Sequence, residues 1–206
     1  MKRSHSSVVF GCASVLLSYP DQASFGEDLA AVAKAVAGLP GGTARSGLQR
    51  CTAWLAGMTA LQASASYVDT FDLRRRRSLY LTYYRYGDTR ERGGALAALA
   101  GTYKAAGFTL ASGELPDFLP ALLELAATSP AGQALLSEHR SALGALRAEL
   151  EEAGSNYAGA VAAVGEALGP LDRASRAALA RYRQMGPPSE QVGLGQLAPP
   201  ALASQP

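Results

Sequence analysis

The side chains that could do acid–base or metal chemistry are few in this sequence. Two histidines, His5 and His139, and two cysteines, Cys12 and Cys51, are the whole supply of imidazole and thiol groups. Zinc sites usually bring their ligands in close pairs such as CxxC or HxxxH, and neither spacing occurs here. We therefore expect two buried free thiols and no tightly bound metal or cofactor.

One pair of carboxylates has a spacing that could support acid–base catalysis. Glu114 and Asp117 flank a Leu-Pro dipeptide, and paired carboxyl groups can act as acid and base when their pKa values differ. The same pattern fits Asp117 as a helix cap beside a solvated Glu114, because prolines at 116 and 120 suit a helix start. No phosphate-binding loop, nucleophile elbow or HExxH motif accompanies the pair. The sequence favours the cap and predicts that the chain is not an enzyme; a small hydrolase is the third hypothesis.

The most conspicuous charge run is Arg74–Arg77. A cluster of this kind can bind nucleic acid, and a helical DNA-binding regulator is the alternative function that we keep. Four acidic residues dilute the patch, so the sequence favours ion pairs to Asp69 or Asp72 over nucleic-acid binding. The same stretch is rich in tyrosine, and tyrosine beside charged residues is common at protein-binding surfaces.

The elements that position these residues are predicted to be helices. The 206 residues contain 41 Ala and 29 Leu but only 9 Val and no Ile, which favours helices over sheets. The formal net charge of +2 is too balanced for nucleic acid to be the default partner. The composition predicts an all-α, single-domain helical bundle.

Glycine, proline and capping residues predict where the helices begin and end. We expect one helix from about Ser46 to Ser66, with Leu61 on its buried side, and another from Asp69 or Thr70 to Gly87. A long helix should run from Ser129-Pro130 to about Gly154. The predicted domain covers residues 1–185, and the Pro/Gly-rich residues 186–206 are predicted to form a disordered tail, because they can bury little surface.

The amino-terminal segment resembles a secretion signal only superficially. Val8–Phe10 are the only apolar residues between the polar start and Cys12, whereas a signal needs an apolar region of about 7–15 residues. No stretch approaches the roughly 20 apolar residues of a bilayer span. We expect a cytoplasmic protein without stable membrane insertion.

Several separated motifs, in order, resemble a known family. They are the run Tyr67–Tyr84, the glycine-containing run Gly87–Gly93, and Glu114–Pro120, with a similar first helix at Ala13–Asp21. Over roughly residues 8–170 the chain resembles the assembly chaperones of respiratory nitrate reductase. These are also called its delta subunit and belong to the wider class of redox-enzyme maturation proteins.

The resemblance implies an all-helical cytoplasmic chaperone of the redox-enzyme maturation type, which is not part of the finished enzyme. Its implied partner is the catalytic molybdenum (alpha) subunit of nitrate reductase, bound through its N-terminal peptide until the molybdenum cofactor and the iron–sulfur centre are inserted. No nucleic acid partner is implied, and a transient contact with the molybdenum cofactor machinery stays open.

The resemblance also implies which residues bind the client peptide. The first motif would supply one wall of a groove and the second motif another, with Asp117 pairing with a basic group or exposed amides of the peptide. Many relatives have His where this chain has Phe118. The implied client-binding residues are Tyr67, Thr70, Phe71, Asp72, Leu115, Pro116, Asp117 and Phe118.

Overall fold

A computed structural model describes residues 4–111 and 113–186, and within these ranges the chain is helical and contains no strand. The all-α prediction is therefore confirmed, while the tail predicted for residues 186–206 lies outside the described residues except for Gly186. The helices are α1 His5–Leu16, α2 Phe25–Ala37, α3 Thr43–Ala56, α4 Ala60–Tyr67, α5 Tyr83–Tyr86, α6 Glu91–Ala105, α7 Leu119–Thr128, α8 Pro130–Glu138, α9 Arg140–Glu152, α10 Ala158–Leu168 and α11 Arg173–Met185.

Short polar side chains set several of the helix starts. The Ser4 hydroxyl accepts a hydrogen bond from the Ser7 amide at α1, and the Asp172 carboxylate accepts one from the Ser175 amide, 2.7 Å away, at α11. These bonds satisfy amides that have no partner inside the helix. The ends of these helices are therefore fixed by local sequence.

The core is built around α1, which packs against α7 on one side and α10 on the other. Phe10 and Leu16 of α1 are almost fully buried, as are Leu17, which follows the helix, and most of α7. Helix α3 crosses α10 so closely that Gly47 and Gly159 face each other. The apolar stripes of these helices therefore bury one another, which is the main source of stability in a bundle.

Two of the predicted helix boundaries were wrong. The helix expected over residues 46–66 is two helices, because α3 ends at Ala56 and Thr59 opens α4 in a capping box with Gln62. Leu61, expected on the buried side, is 69% exposed. The long helix expected after Pro130 is also divided, at His139 between α8 and α9. In both places the apolar spacing continues across the break, so the period alone could not reveal it.

The helix expected from residue 69 or 70 to Gly87 was also wrong. After α4 the chain makes one π-helical turn, Val68–Asp72, and one 3-10 turn, Arg75–Arg77. Arg74, between the two turns, is extended. The Tyr84 hydroxyl fixes this turn by donating toward the carbonyl oxygens of Arg76 (3.1 Å) and Ser78 (2.9 Å).

The ion pairs of the arginine run also differ from expectation. Arg75 pairs with Asp88 at 3.9 Å and Arg76 with Glu149 at 3.4 Å, whereas the described residues show no ion pair to Asp69 or Asp72. The turn at Arg75–Arg77 determines which carboxylates these arginines reach, and a continuous helix would not contain this turn.

None of the helices within residues 4–111 and 113–186 is both long enough and apolar enough to cross a bilayer.

Both cysteines are buried free thiols, as the sequence predicted. Burial raises the pKa of Cys12 to about 11 and that of Cys51 to about 12, from an ordinary value of 9.0. The folded state therefore holds these protons more tightly than the unfolded state. The stability that the two protonated thiols contribute is complete below pH 9 and is lost as the pH rises towards 11–12.

We expect the urea concentration at the midpoint of unfolding to decrease as the pH is raised from 8.5 to 10.5. Cys51→Ala should make this decrease smaller. Urea titrations at several pH values measure the effect. A midpoint that is constant across this range would contradict it.

Candidate functional site

The two motifs singled out in the sequence meet in the fold, although they are far apart along the chain. The Leu81 amide donates to the Asp117 carbonyl oxygen at 3.0 Å, and the Leu119 amide donates to the Leu79 carbonyl oxygen at 2.8 Å. Between these bonds Tyr80 lies opposite Phe118 in an antiparallel bridge, with ring centroids 5.4 Å apart. This short pairing fixes the second motif against the segment that follows the arginine turn.

A buried polar network holds the same junction from inside. The Asp117 side chain is fully buried, and its Oδ2 accepts hydrogen bonds from the Thr82 amide (3.2 Å), the Thr82 hydroxyl and Arg92 Nη2 (3.2 Å). Arg92 also donates from Nε to the Thr82 hydroxyl oxygen at 3.0 Å. Oδ1 of Asp117 has no hydrogen-bond partner among the described residues, so the carboxylate depends on these bonds for its stabilisation.

The first motif lies in an aromatic cluster. Tyr67 contacts Phe71 at 5.0 Å between ring centroids, Phe71 contacts Tyr157 at 4.8 Å, and Tyr19 packs edge-on against Tyr67 at 5.4 Å. Burial raises the pKa of Tyr67 above its ordinary value, and the Asp72 and Glu114 carboxylates add to the effect. The first motif is therefore anchored by ring packing to Tyr19 and to Tyr157.

The surface above this junction is acidic and partly apolar. Burial raises the pKa of Tyr80, and the negative charges of Glu114, Asp117 and Asp72 raise it further, while Arg92 lowers it. Leu115 is 38% exposed, and Phe118 is half-buried beside the Tyr80 ring. We call these residues the recognition surface: Asp72, Tyr80, Glu114, Leu115 and Phe118.

The structure divides the predicted site residues into two groups. Asp72, Leu115 and Phe118 belong to the recognition surface. The others are buried, with exposures of 7% or less where they are given: Tyr67, Thr70, Phe71, Pro116 and Asp117.

Asp117 differs most from expectation. It neither caps α7, whose start at Phe118 has no side-chain cap, nor stands at a rim where a peptide could pair with it. Thr82 and Arg92 of the same chain hold its carboxylate.

Sequence reasoning missed three residues that shape the site: Tyr80, Thr82 and Arg92. Arg92 stands within the glycine-containing motif Gly87–Gly93, but nothing in its spacing pointed to Asp117, which is 25 positions away. An ion pair between distant segments has no local sequence pattern, so only the tertiary structure could show it.

An apolar trough extends from the aromatic cluster along α2. A cavity of about 660 Å³ lies between α2 and α3, and a second of about 240 Å³ shares Phe25 and Leu29 with it. The second cavity reaches Tyr19, whose ring contacts Tyr67. Asp21 and Asp28 line this end of the trough, so the apolar floor has acidic residues beside it.

The described residues contain no group of three or more His, Cys, Asp or Glu side chains placed to hold a metal ion. His139 is half-buried, and its Nδ1 lies 2.9 Å from the Leu135 carbonyl oxygen.

The fold has a counterpart among solved structures. It is similar to a crystal structure from Archaeoglobus fulgidus, assigned as a redox enzyme maturation protein, with a TM-score of 0.62 and 21% identity over 82% of this chain and 98% of that one. This likeness confirms the predicted fold type. The model of the nitrate reductase delta subunit family matches residues 27–163, and the chain belongs to this family.

Curated relatives agree with the family assignment. The chain is 44% identical over 169 residues to the nitrate reductase-like protein NarX of Mycobacterium tuberculosis, covering 80% of this chain but only 25% of the relative. It is 31% identical over 160 residues to the probable nitrate reductase molybdenum cofactor assembly chaperone NarJ of Bacillus subtilis, covering 77% of this chain and 86% of the relative. NarJ of Escherichia coli is 39% identical over 103 residues. The chain thus spans about a quarter of the length of the mycobacterial relative.

Proposed function

We propose that this protein is a system-specific chaperone that binds the N-terminal segment of the nitrate reductase alpha subunit, its catalytic subunit, and promotes insertion of the molybdenum cofactor. In this role it acts in the cytoplasm, catalyses no reaction of its own and is not part of the finished enzyme. Relatives named as molybdenum cofactor assembly chaperones support the role. The observation that carries it is the meeting of both motifs in one recognition surface.

The chemistry of this surface suits a basic amphipathic peptide. Asp72 and Glu114 attract positive side chains or the amide-rich N-terminus of a helix. Leu115 and Phe118 offer partly exposed apolar contacts beside these charges. The trough along α2 has an apolar floor that could take the apolar face of the same peptide.

The buried residues contribute by holding this surface in shape. Asp117 and Arg92 fix the loop that carries Glu114 and Leu115, and the packing of Tyr67 on Phe71 holds the segment that ends at Asp72. We therefore assign the client contact to the exposed members of the site and a positioning role to the buried ones.

A peptide titration tests the proposal. We expect Leu115→Ser combined with Phe118→Ala to weaken binding of the alpha subunit's N-terminal peptide more than tenfold, because truncated apolar anchors commonly cost about 2 kcal/mol. Asp72→Asn with Glu114→Gln should weaken it less, and mainly at low salt. Isothermal titration calorimetry at two salt concentrations measures both effects.

Two controls keep this test specific. Glu152→Gln removes an exposed carboxylate at the end of α9 and should leave the affinity unchanged. Thermal melting of every variant shows whether Phe118→Ala acts through folding, since its ring packs on Tyr80. Normal affinity in both well-folded double variants would contradict the assignment of this surface.

A further inference from the structure

Two arginine-containing segments that are distant in the sequence are linked in the fold through Tyr84. The Tyr84 and Tyr182 rings are in contact, 5.0 Å between centroids, and the Tyr84 hydroxyl binds the Arg76 carbonyl oxygen. Arg181 and Arg183 flank Tyr182 in α11. The end of α11 therefore lies beside the arginine turn, and the arginine run acquires a second basic segment.

The combined segment carries excess positive charge. Asp88 and Glu149 pair with Arg75 and Arg76, but these two arginine side chains remain 84% and 64% exposed. Residues 173–185 include four arginines and no acidic residue. No ion pair within the described residues neutralises Arg74, Arg181 or Arg183, all of which are exposed.

Each arginine group has an exposed apolar side chain beside it in the sequence. Leu73 precedes the run and is 68% exposed, and Met185 follows Arg183 and is 70% exposed. These are among the most exposed large apolar residues of the described chain. We call the two segments together, Leu73–Arg76 and Arg181–Met185, the basic–apolar surface.

We propose that the basic–apolar surface binds anionic lipid headgroups, so that the protein associates peripherally with a membrane. Arginine attracts anionic headgroups, while an apolar side chain inserts into the boundary between headgroups and acyl chains. Duplex DNA would use the arginines but would gain nothing from Leu73 and Met185. Membrane association through this surface would not depend on client binding.

Vesicle co-flotation of the full chain tests this surface. We expect binding to vesicles rich in phosphatidylglycerol, little binding to pure phosphatidylcholine, and loss of binding as salt is raised. Because each basic residue near an anionic surface strengthens binding about fivefold, Arg181→Ala with Arg183→Ala should lower partitioning about 25-fold. Leu73→Ser with Met185→Ser should lower it severalfold.

A matched control uses Leu61→Ser, since Leu61 is 69% exposed but lies outside both arginine groups. Equal binding to both kinds of vesicle, or an equal loss in Leu61→Ser, would overturn the proposal. A third contrary result would be weak binding to the anionic vesicles and tight binding to duplex DNA, with the DNA affinity unchanged in the Leu73→Ser, Met185→Ser double variant. The surface would then be a nucleic-acid site.

Discussion

Replacement of Arg92 by methionine is expected to lower the free energy of unfolding by about 3–5 kcal/mol, the usual effect of leaving a buried carboxylate without its cationic partner. The Asp117 carboxylate is fully buried, and its Oδ1 already lacks a hydrogen-bond partner among the described residues. Without Arg92, only Thr82 would hold it. Urea denaturation of the unaltered protein and of Arg92→Met measures this loss of free energy.

A control and a double variant make this prediction specific. Arg147→Met also breaks an arginine–carboxylate pair, to Glu151 at 2.7 Å, but both side chains are 50% exposed, and such pairs contribute little. Asp117→Leu combined with Arg92→Met should recover part of the stability, because an apolar pair leaves no buried charge. A loss below about 1 kcal/mol in Arg92→Met would contradict the role of the pair.

Gly159→Ala is the second substitution with a large expected effect. Gly159 of α10 faces Gly47 of α3, and a Cβ on either glycine would lie 2.5 Å from the carbonyl oxygen of the other. Because the obstacle is backbone, the two helices would have to separate. We expect a loss of about 3 kcal/mol, the upper end of the usual cost of overpacking, measured by urea denaturation.

The same helix offers a matched control. Gly165, also in α10, has open space where a Cβ would stand. Gly165→Ala should therefore raise stability by about 0.5–1 kcal/mol, because alanine loses less backbone freedom on folding. Similar stabilities for Gly159→Ala and Gly165→Ala would mean that the close approach of α3 and α10 does not limit the fold.

The Arg92–Asp117 pair changes how variants of the second motif should be interpreted. Sequence alone suggested Asp117 as a residue that pairs with the client, so weakened binding in Asp117→Asn would have pointed to a lost contact. In the structure this side chain is inside, bound to Thr82 and Arg92. Weaker binding in that variant would instead report a displaced loop, and Leu115→Ser is the more direct probe of contact.

Much of this protein could be predicted from local sequence. Helix preference and capping act over about four residues, so the composition was enough to predict an all-α fold. Cys12 and Cys51 are far apart along the chain, and no CxxC or HxxxH spacing occurs, so the sequence predicted free buried thiols and not metal ligands. The ordered motifs identified the family, which the match over residues 27–163 confirms.

Only the tertiary structure decided what those motifs do together. The break in the chain at Arg75–Arg77, the pairing of Tyr80 with Phe118 and the burial of Asp117 all depend on residues far apart in sequence. Burial and ion pairing are set by which segments become neighbours, and hydrophobic spacing records only that a face is buried, not what lies against it. The sequence therefore determined the all-helical class and the family, while packing determined where several helices break and which site residues are exposed or buried.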